Sequence, residues 1–210
     1  ALRPRFQWVE RGAVRETVEF VGVRVLTGAR NRYILHVAVS PQINSTALPG
    51  GRIIVNTGAL HSVENANELA AMLAQAAARA ETHNALGNLI HSLGWRAMLA
   101  AVRGDLSSSV WHGMAGALIH MRFTQAQERE ADRTALAMLQ RAGVSVDGLL
   151  PYLERIATHH VSEFEATKSG MSWVGKERLD ALRKEIATLG PYPHHPLTVD
   201  WPLFEFNLNN

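Results

Sequence analysis

The sequence predicts a single α+β domain that is predominantly helical and carries a small β-sheet. Most of the chain shows apolar residues at helical spacing, whereas residues 32–39 and 52–56 have the β-branched and aromatic composition of strands. The 210 residues are 47% hydrophobic, which is enough for one core. No internal repeat or change of composition marks a second domain, so we expect residues 1–210 to form one unit.

The N-terminal part is predicted to form a helix followed by two strands. Valines recur at three- or four-residue spacing over residues 14–25, and Gly28 can end this first helix. Residues 32–39 alternate in polarity, and residues 52–56 lie between two glycine-containing turns. These two segments are therefore expected to be strands of the sheet.

Capping signals predict the later helices. An Ala-rich helix begins at Asn65, where Glu68 forms a capping-box-like pair with it. Another begins at Thr124, which pairs in the same way with Gln127, and ends at Gly143. The predicted helices after the strands are 65–84, 124–143, about 147–158 and about 176–188.

Two segments break the helical pattern. Five glycines interrupt residues 86–122, which predicts two short, closely packed helices or a mobile flap. Four prolines follow Gly190, so residues 190–210 are expected to be a Pro-rich extended C-terminal arm that contains no regular helix. We expect both segments to be partner surfaces.

Composition and charge exclude several classes of protein. The absence of Cys excludes disulfide scaffolds, thiolate nucleophiles and Cys-ligated metals. The net charge is only +2 and no run of five like charges occurs, so nucleic acid is not an expected partner. The uncharged stretches 33–51 and 106–121 are interrupted by polar residues or proline, and neither is a membrane span.

Three segments together carry a recognisable pattern. They are INSTALPGGRIIVNTGAL over 43–60, NELAAMLAQAAARAETH over 67–83 and QEREADRTALAML over 127–139. In this order and spacing they resemble the zinc metallopeptidases of the HtpX, Oma and BepA type, the gluzincins of metallopeptidase family forty-eight. In that family a strand containing Pro-Gly-Gly precedes a helix with His-Glu-x-x-His, and a later helix supplies Glu-x-x-x-Asp. The matching positions are Asn44, Pro49, Gly50, Gly51, Gly58, Leu60, Glu128 and Asp132.

The resemblance covers about residues 14–189 and implies a zincin-like fold with the sheet packed on the helix of residues 67–83. It also implies a zinc endopeptidase ancestry. A location at a membrane, or in the bacterial envelope or periplasm, follows from the resemblance alone.

The helix of residues 67–83 departs from the family pattern. Where the family has His-Glu-x-x-His, this chain has Gln75-Ala76-Ala77-Ala78-Arg79. Ala76 cannot act as a base, and Arg79 is a permanent cation without a lone pair for a metal. Glu128 is then the only family ligand left, so we expect no zinc cofactor and no catalytic residue. The family's His-Pro pair before Arg178-Leu179 is also absent.

These losses indicate an inactive metallopeptidase homologue that serves as a peptide-binding or protein-binding, chaperone-like or scaffold module at or near a membrane. Gln75, Arg79 and His83 share one helix face, and we expect Arg79 to take the zinc position and pair with Glu128. If that pair is buried, Arg79→Ala should cost about 3–5 kcal/mol. The strand at 52–56 is expected to be an exposed edge that binds an extended peptide. The predicted edge residues are Gly51, Ile53, Ile54, Val55 and Asn56.

Three alternatives stay open at this point. In the first alternative, the chain is an active zinc metalloendopeptidase that uses other ligands, such as His83 with Glu128, or an engineered inactive form of one. In the second, it is a purely structural subunit of a membrane complex. The third alternative concerns only the helix of residues 124–143, in which Glu128 and Asp132 would lie on a solvated face together with Arg129 and Arg133.

Overall fold

The computed structural model describes residues 7–48, 51–82, 124–159 and 174–209. The strands are β1 (Gln7–Trp8), β2 (Ile34–Val39), β3 (Ser45–Leu48) and β4 (Arg52–Asn56). The helices are α1 (Ala13–Leu26), α2 (Thr57–Leu60), α3 (Ala66–Thr82), α4 (Gln125–Arg141), α5 (Leu149–His159), α6 (Lys176–Thr188) and α7 (Trp201–Asn209). The predicted α+β fold, mainly helical with a small sheet, is confirmed. Three predictions fall outside the described residues: the 86–122 segment, His83 and the Pro49-Gly50 turn.

The sheet has four strands in the order β1-β2-β4-β3. Strands β2 and β4 run parallel with Ile34 opposite Arg52, and the two outer pairs are antiparallel. One face of the sheet carries the fully buried Ile53 and Val55, which join the core formed with α1 and α3. Helix α1 packs beside β2, and helix α3 packs beside β3.

Strand β4 is an inner strand, so the predicted peptide-binding edge at Gly51, Ile53, Ile54, Val55 and Asn56 is wrong. Strand β2 pairs with one side of β4 and β3 with the other, and both sides of its backbone are therefore used. The sequence did not reveal β3, because four residues reading Ser-Thr-Ala-Leu show little alternation.

The outer strand on this side is β3. The backbone N–H of Asn56 donates to the carbonyl of Asn44 at 3.3 Å, which fixes the alternation of the β3–β4 ladder. Because hydrogen-bonded and non-hydrogen-bonded pairs alternate between antiparallel strands, the backbone N–H and C=O groups of Ser45 and Ala47 point away from β4. No strand in the described ranges pairs with this outer side.

Helices α3 and α4 begin at the predicted capping signals. The Asn65 side chain accepts from the Glu68 N–H at 3.0 Å, and the hydroxyl of Thr124 accepts from the Gln127 N–H at 3.2 Å. Every residue of α3 from Glu68 to Ala78 is buried, and many are alanines that allow neighbouring helices to approach closely. Helix α3 is therefore central to the core.

The C-terminal arm is irregular only in part. Residues 189–200 form no regular element, but residues 201–209 form α7, which corrects the expectation of an extended arm to the end of the chain. Pro202 is compatible with this helix because it lies in the first turn, where its missing N–H has no intrahelical partner to lose. Phe204 is buried in the core, and the Tyr192 hydroxyl accepts from the N–H of Val146 and donates to the carbonyl of Val144, both at 2.8 Å.

Candidate functional site

The helices α3 and α4 face each other through two pairs of polar side chains. Gln75 and Arg79 are four residues apart on α3, and Glu128 and Asp132 are four residues apart on α4. Each pair lies on one side of its helix because side chains at this spacing project in the same direction. We call these four residues together with Arg178 the ion cluster.

Arg79 and Glu128 form the predicted ion pair. The Nη2 and Nε atoms of Arg79 both donate to Oε2 of Glu128, at 3.0 and 3.3 Å. The Glu128 side chain is 3% exposed, whereas that of Arg79 is 23% exposed. Asp132 is also buried, so the alternative of a solvated face at Glu128 and Asp132 is wrong.

Arg178 of α6 is a second and more deeply buried cation, and sequence reasoning gave it no role in the site. Its Nε donates to Oδ2 of Asp132 at 2.8 Å, and its Nη2 donates to Oδ1 at 2.6 Å, which makes a bidentate pair. Its Nη1 lies 2.8 Å from Oε2 of Glu128. The available signal was the match of Arg178-Leu179 to the family pattern.

The pKa of Arg178 reflects this environment. Burial acts to lower the pKa, but the hydrogen bonds and charge of Asp132, with the charge of Glu128, raise it above the ordinary value. Arg178 is therefore a fixed positive charge that joins α6 to α4.

Gln75 and Tyr152 complete the surroundings of the cluster. Nε2 of Gln75 donates to Oδ1 of Asp132, and Oε1 of the same amide has no hydrogen-bond donor among the described residues. Burial raises the pKa of the Tyr152 phenol, and the smaller opposing effects of Arg79 and Arg178 do not reverse the shift. Tyr152 is a neutral phenol near neutral pH, and no sequence signal pointed to it.

The donor set of the cluster does not suit zinc. Within the described ranges no three His, Cys, Asp or Glu side chains converge as a metal site would require. Both carboxylates of the cluster are in contact with guanidinium groups, and Ala76 presents a buried methyl group at the family's Glu position. The cluster thus compensates two buried negative charges with two positive charges that belong to the protein.

Comparison with known proteins agrees with this architecture. The model of Peptidase family M48 matches residues 10–186. The chain belongs to peptidase family M48. The match includes every member of the ion cluster.

Two curated relatives are named as peptidases. The Beta-barrel assembly-enhancing protease of Yersinia pestis is 25% identical over 156 residues, which are 67% of this chain and 32% of that protein. The mitochondrial Metalloendopeptidase OMA1 of Bos taurus is 29% identical over 126 residues, 54% of this chain and 24% of that protein. The chain therefore spans a third or less of the length of these relatives. None of the described helices is long and apolar enough to cross a bilayer.

Replacing Arg79 with Met is expected to lower the free energy of unfolding by about 1.5–3 kcal/mol, because charge-assisted hydrogen bonds to a buried carboxylate are lost. This is less than expected from the sequence for removal of a buried arginine, since Arg79 is partly exposed and Arg178 still faces Glu128. Urea denaturation measures the change. The control is Arg15→Met, whose partner Glu19 is 44% exposed, with an expected loss below about 0.5 kcal/mol. Equal losses in the two variants would contradict the prediction.

Proposed function

We propose that this chain is a catalytically inactive M48 homologue that binds an extended peptide beside β3 and α3, as a chaperone-like or scaffold module near a membrane. One observation supports the proposed inactivity. Arg79, at the second His position of the family motif, makes an ion pair with Glu128, at the position of the family's glutamate ligand. In this proposal, a protein cation takes the place of the family's metal cation.

The proposal includes a reason why the fold would tolerate the absence of a metal. A buried carboxylate that lacks a compensating charge is strongly unfavourable. Within the described residues, removal of the imidazoles and the metal alone would leave Glu128 and Asp132 to share the single positive charge of Arg178. Arg79 supplies the missing charge, and Ala76 fills the position of the general base with a small apolar group. Both changes preserve the packing of α3 against α4 while they remove the groups needed for hydrolysis.

The proposed binding surface is the outer side of β3. The outward N–H and C=O groups of Ser45 and Ala47 are suited to hydrogen bonding with an added strand. Because α1 lies beside β2 and α3 beside β3, such a strand continues the sheet on the α3 side of the molecule. Both relatives are named as proteases, whose substrates are polypeptide chains, and a retained peptide-binding function is consistent with that ancestry.

Metal content tests the inactive site. Protein purified without a His-tag is expected to contain well under one equivalent of zinc by plasma mass spectrometry and to leave a fluorogenic peptide intact in added zinc. Stoichiometric zinc together with hydrolysis would overturn the proposal in favour of an active endopeptidase that uses other ligands, such as His83 with Glu128.

A proline at position 47 tests the binding surface. Ala47→Pro removes an outward N–H without removing a β3–β4 hydrogen bond, so the affinity for a labelled extended peptide should fall by about tenfold, the equivalent of one hydrogen bond. Fluorescence anisotropy with a fluorescein-labelled Thr/Val decapeptide measures this change. Ala47→Ser is the matched control, because it keeps the N–H and changes the side-chain size little. Equal affinities in the two variants would exclude β3 as the binding strand.

A further inference from the structure

The two arginines of the ion cluster differ in what they offer to a partner. Arg178 is 6% exposed, and its Nε, Nη1 and Nη2 atoms all face Glu128 or Asp132. Arg79 directs only Nε and Nη2 at Glu128 and is 23% exposed. Its Nη1 has no hydrogen-bond partner among the described residues, so within these ranges both of its N–H donors are unused.

Arg79 is also the most solvent-exposed residue of the ion cluster. The side chains of Glu128 and Asp132 are each 3% exposed, and Gln75 and Tyr152 are buried. A molecule that approaches the cluster from solvent thus meets the Arg79 side chain before the two carboxylates, which are buried. The solvent-exposed part of the cluster is therefore positively charged, although the net charge of the whole cluster is zero.

From this asymmetry we infer that Arg79 selects an acidic side chain of the bound peptide. The inference rests on the proposed peptide-binding function and adds the chemistry of the partner. A Glu or Asp side chain of an extended segment on β3 accepts hydrogen bonds from Nη1 of Arg79. The planar guanidinium is well suited to this contact because it binds one carboxylate through Nε and Nη2 while Nη1 remains available for another.

Three decapeptides test the inference. Each has an alternating Thr/Val sequence, a fluorescein at the N-terminus, an amidated C-terminus, and Glu, Gln or Lys at the centre. In fluorescence anisotropy the Glu peptide is expected to bind about tenfold more tightly than the Gln peptide, and the Lys peptide more weakly than both. The ratio between Glu and Gln should approach one in about 0.5 M NaCl, since an exposed pair is screened by salt.

Two variants assign the preference to Arg79. In Arg79→Gln the ratio of the two dissociation constants should fall to about one, whereas Arg79→Lys should keep part of the preference, because a point charge remains without the planar donor geometry. Thermal denaturation of each variant checks that it is folded. The comparison of peptides on the unaltered protein stands even if a variant fails to fold.

The outcomes separate the two proposals. Absence of binding by every peptide would overturn the proposed peptide-binding function. Equal binding of the Glu and Gln peptides would overturn only the selection by Arg79, and so would a preference for Lys. A Gln peptide with a free C-terminal carboxylate, if it bound as tightly as the amidated Glu peptide, would show that the site selects a chain terminus, which also contradicts the inference.

Discussion

Replacing Arg178 with Met is expected to lower the free energy of unfolding by about 3–5 kcal/mol, because the change leaves buried carboxylates without their main cation. Among the described residues, Asp132 would keep its hydrogen bond from Gln75, and the guanidinium that still faces Glu128 would be that of the partly exposed Arg79. Met keeps much of the apolar stem of Arg178, so the loss reports the charge more than the packing. Urea denaturation measures the difference, with the same dependence of the unfolding free energy on urea concentration (m value) used for both proteins.

Arg183→Met on the same helix is the matched control. Arg183 is 53% exposed and pairs with Glu154 and Asp180 at 2.6 and 2.8 Å, so its removal should cost less than about 1 kcal/mol. The double variant Arg178→Met with Asp132→Leu should recover part of the stability, because position 132 then no longer holds a buried carboxylate that has lost its guanidinium partner. Similar losses for Arg178→Met and Arg183→Met would show that the cluster is not an electrostatic support of the fold.

Local signals in the sequence were sufficient for the helices that build the site. The capping pairs at Asn65 and Thr124 and the fixed spacing of side chains on a helix are properties of neighbouring residues. They placed Gln75 and Arg79 on one face of α3, and Glu128 and Asp132 on one face of α4. The family pattern then predicted that the two faces lie opposite each other, and the predicted contact between Arg79 and Glu128 is present in the structure.

Long-range features were predicted less well. Strand β3 has only four residues, and its existence depends on pairing with β4, which no local pattern encodes. Because β3 was not predicted, β4 was predicted to be an edge strand. Arg178 lies 46 residues from Asp132 along the chain, so its place in the cluster depends on the packing of α6 against α4.

The burial of each arginine could also not be predicted from the sequence. Arg79 and Arg178 are the same residue type, yet the first is partly exposed and the second is buried. This difference is the reason why we expect the larger loss of stability from Arg178→Met and propose Arg79 as the contact for a partner. A sequence pattern gives the residue and its helix face, but exposure is set by the neighbouring elements that cover that face.

Restoring the family motif is expected to create a zinc site. The triple variant Gln75→His, Ala76→Glu, Arg79→His should bind about one equivalent of zinc, because two imidazoles one helical turn apart and a glutamate make a typical zinc-binding set. Glu128 is placed for this role, since its carboxylate lies 3.0 Å from the Arg79 guanidinium, which the second imidazole replaces. Removal of Arg79 also takes away the cation that would repel the metal.

Zinc content by plasma mass spectrometry and the melting temperature with and without zinc measure the effect. Zinc at about one hundred times its dissociation constant should stabilise the triple variant by about 2.7 kcal/mol and leave the unaltered protein unchanged. The matched control, Gln75→His, Ala76→Glu, Arg79→Leu, removes the same cation but lacks one imidazole, so it should hold no stoichiometric zinc. If the control bound zinc as well as the triple variant, the ligands would lie elsewhere. If the triple variant bound none, the geometry around Glu128 would not suit a zinc site, and the proposal that Arg79 takes the place of the metal would be wrong.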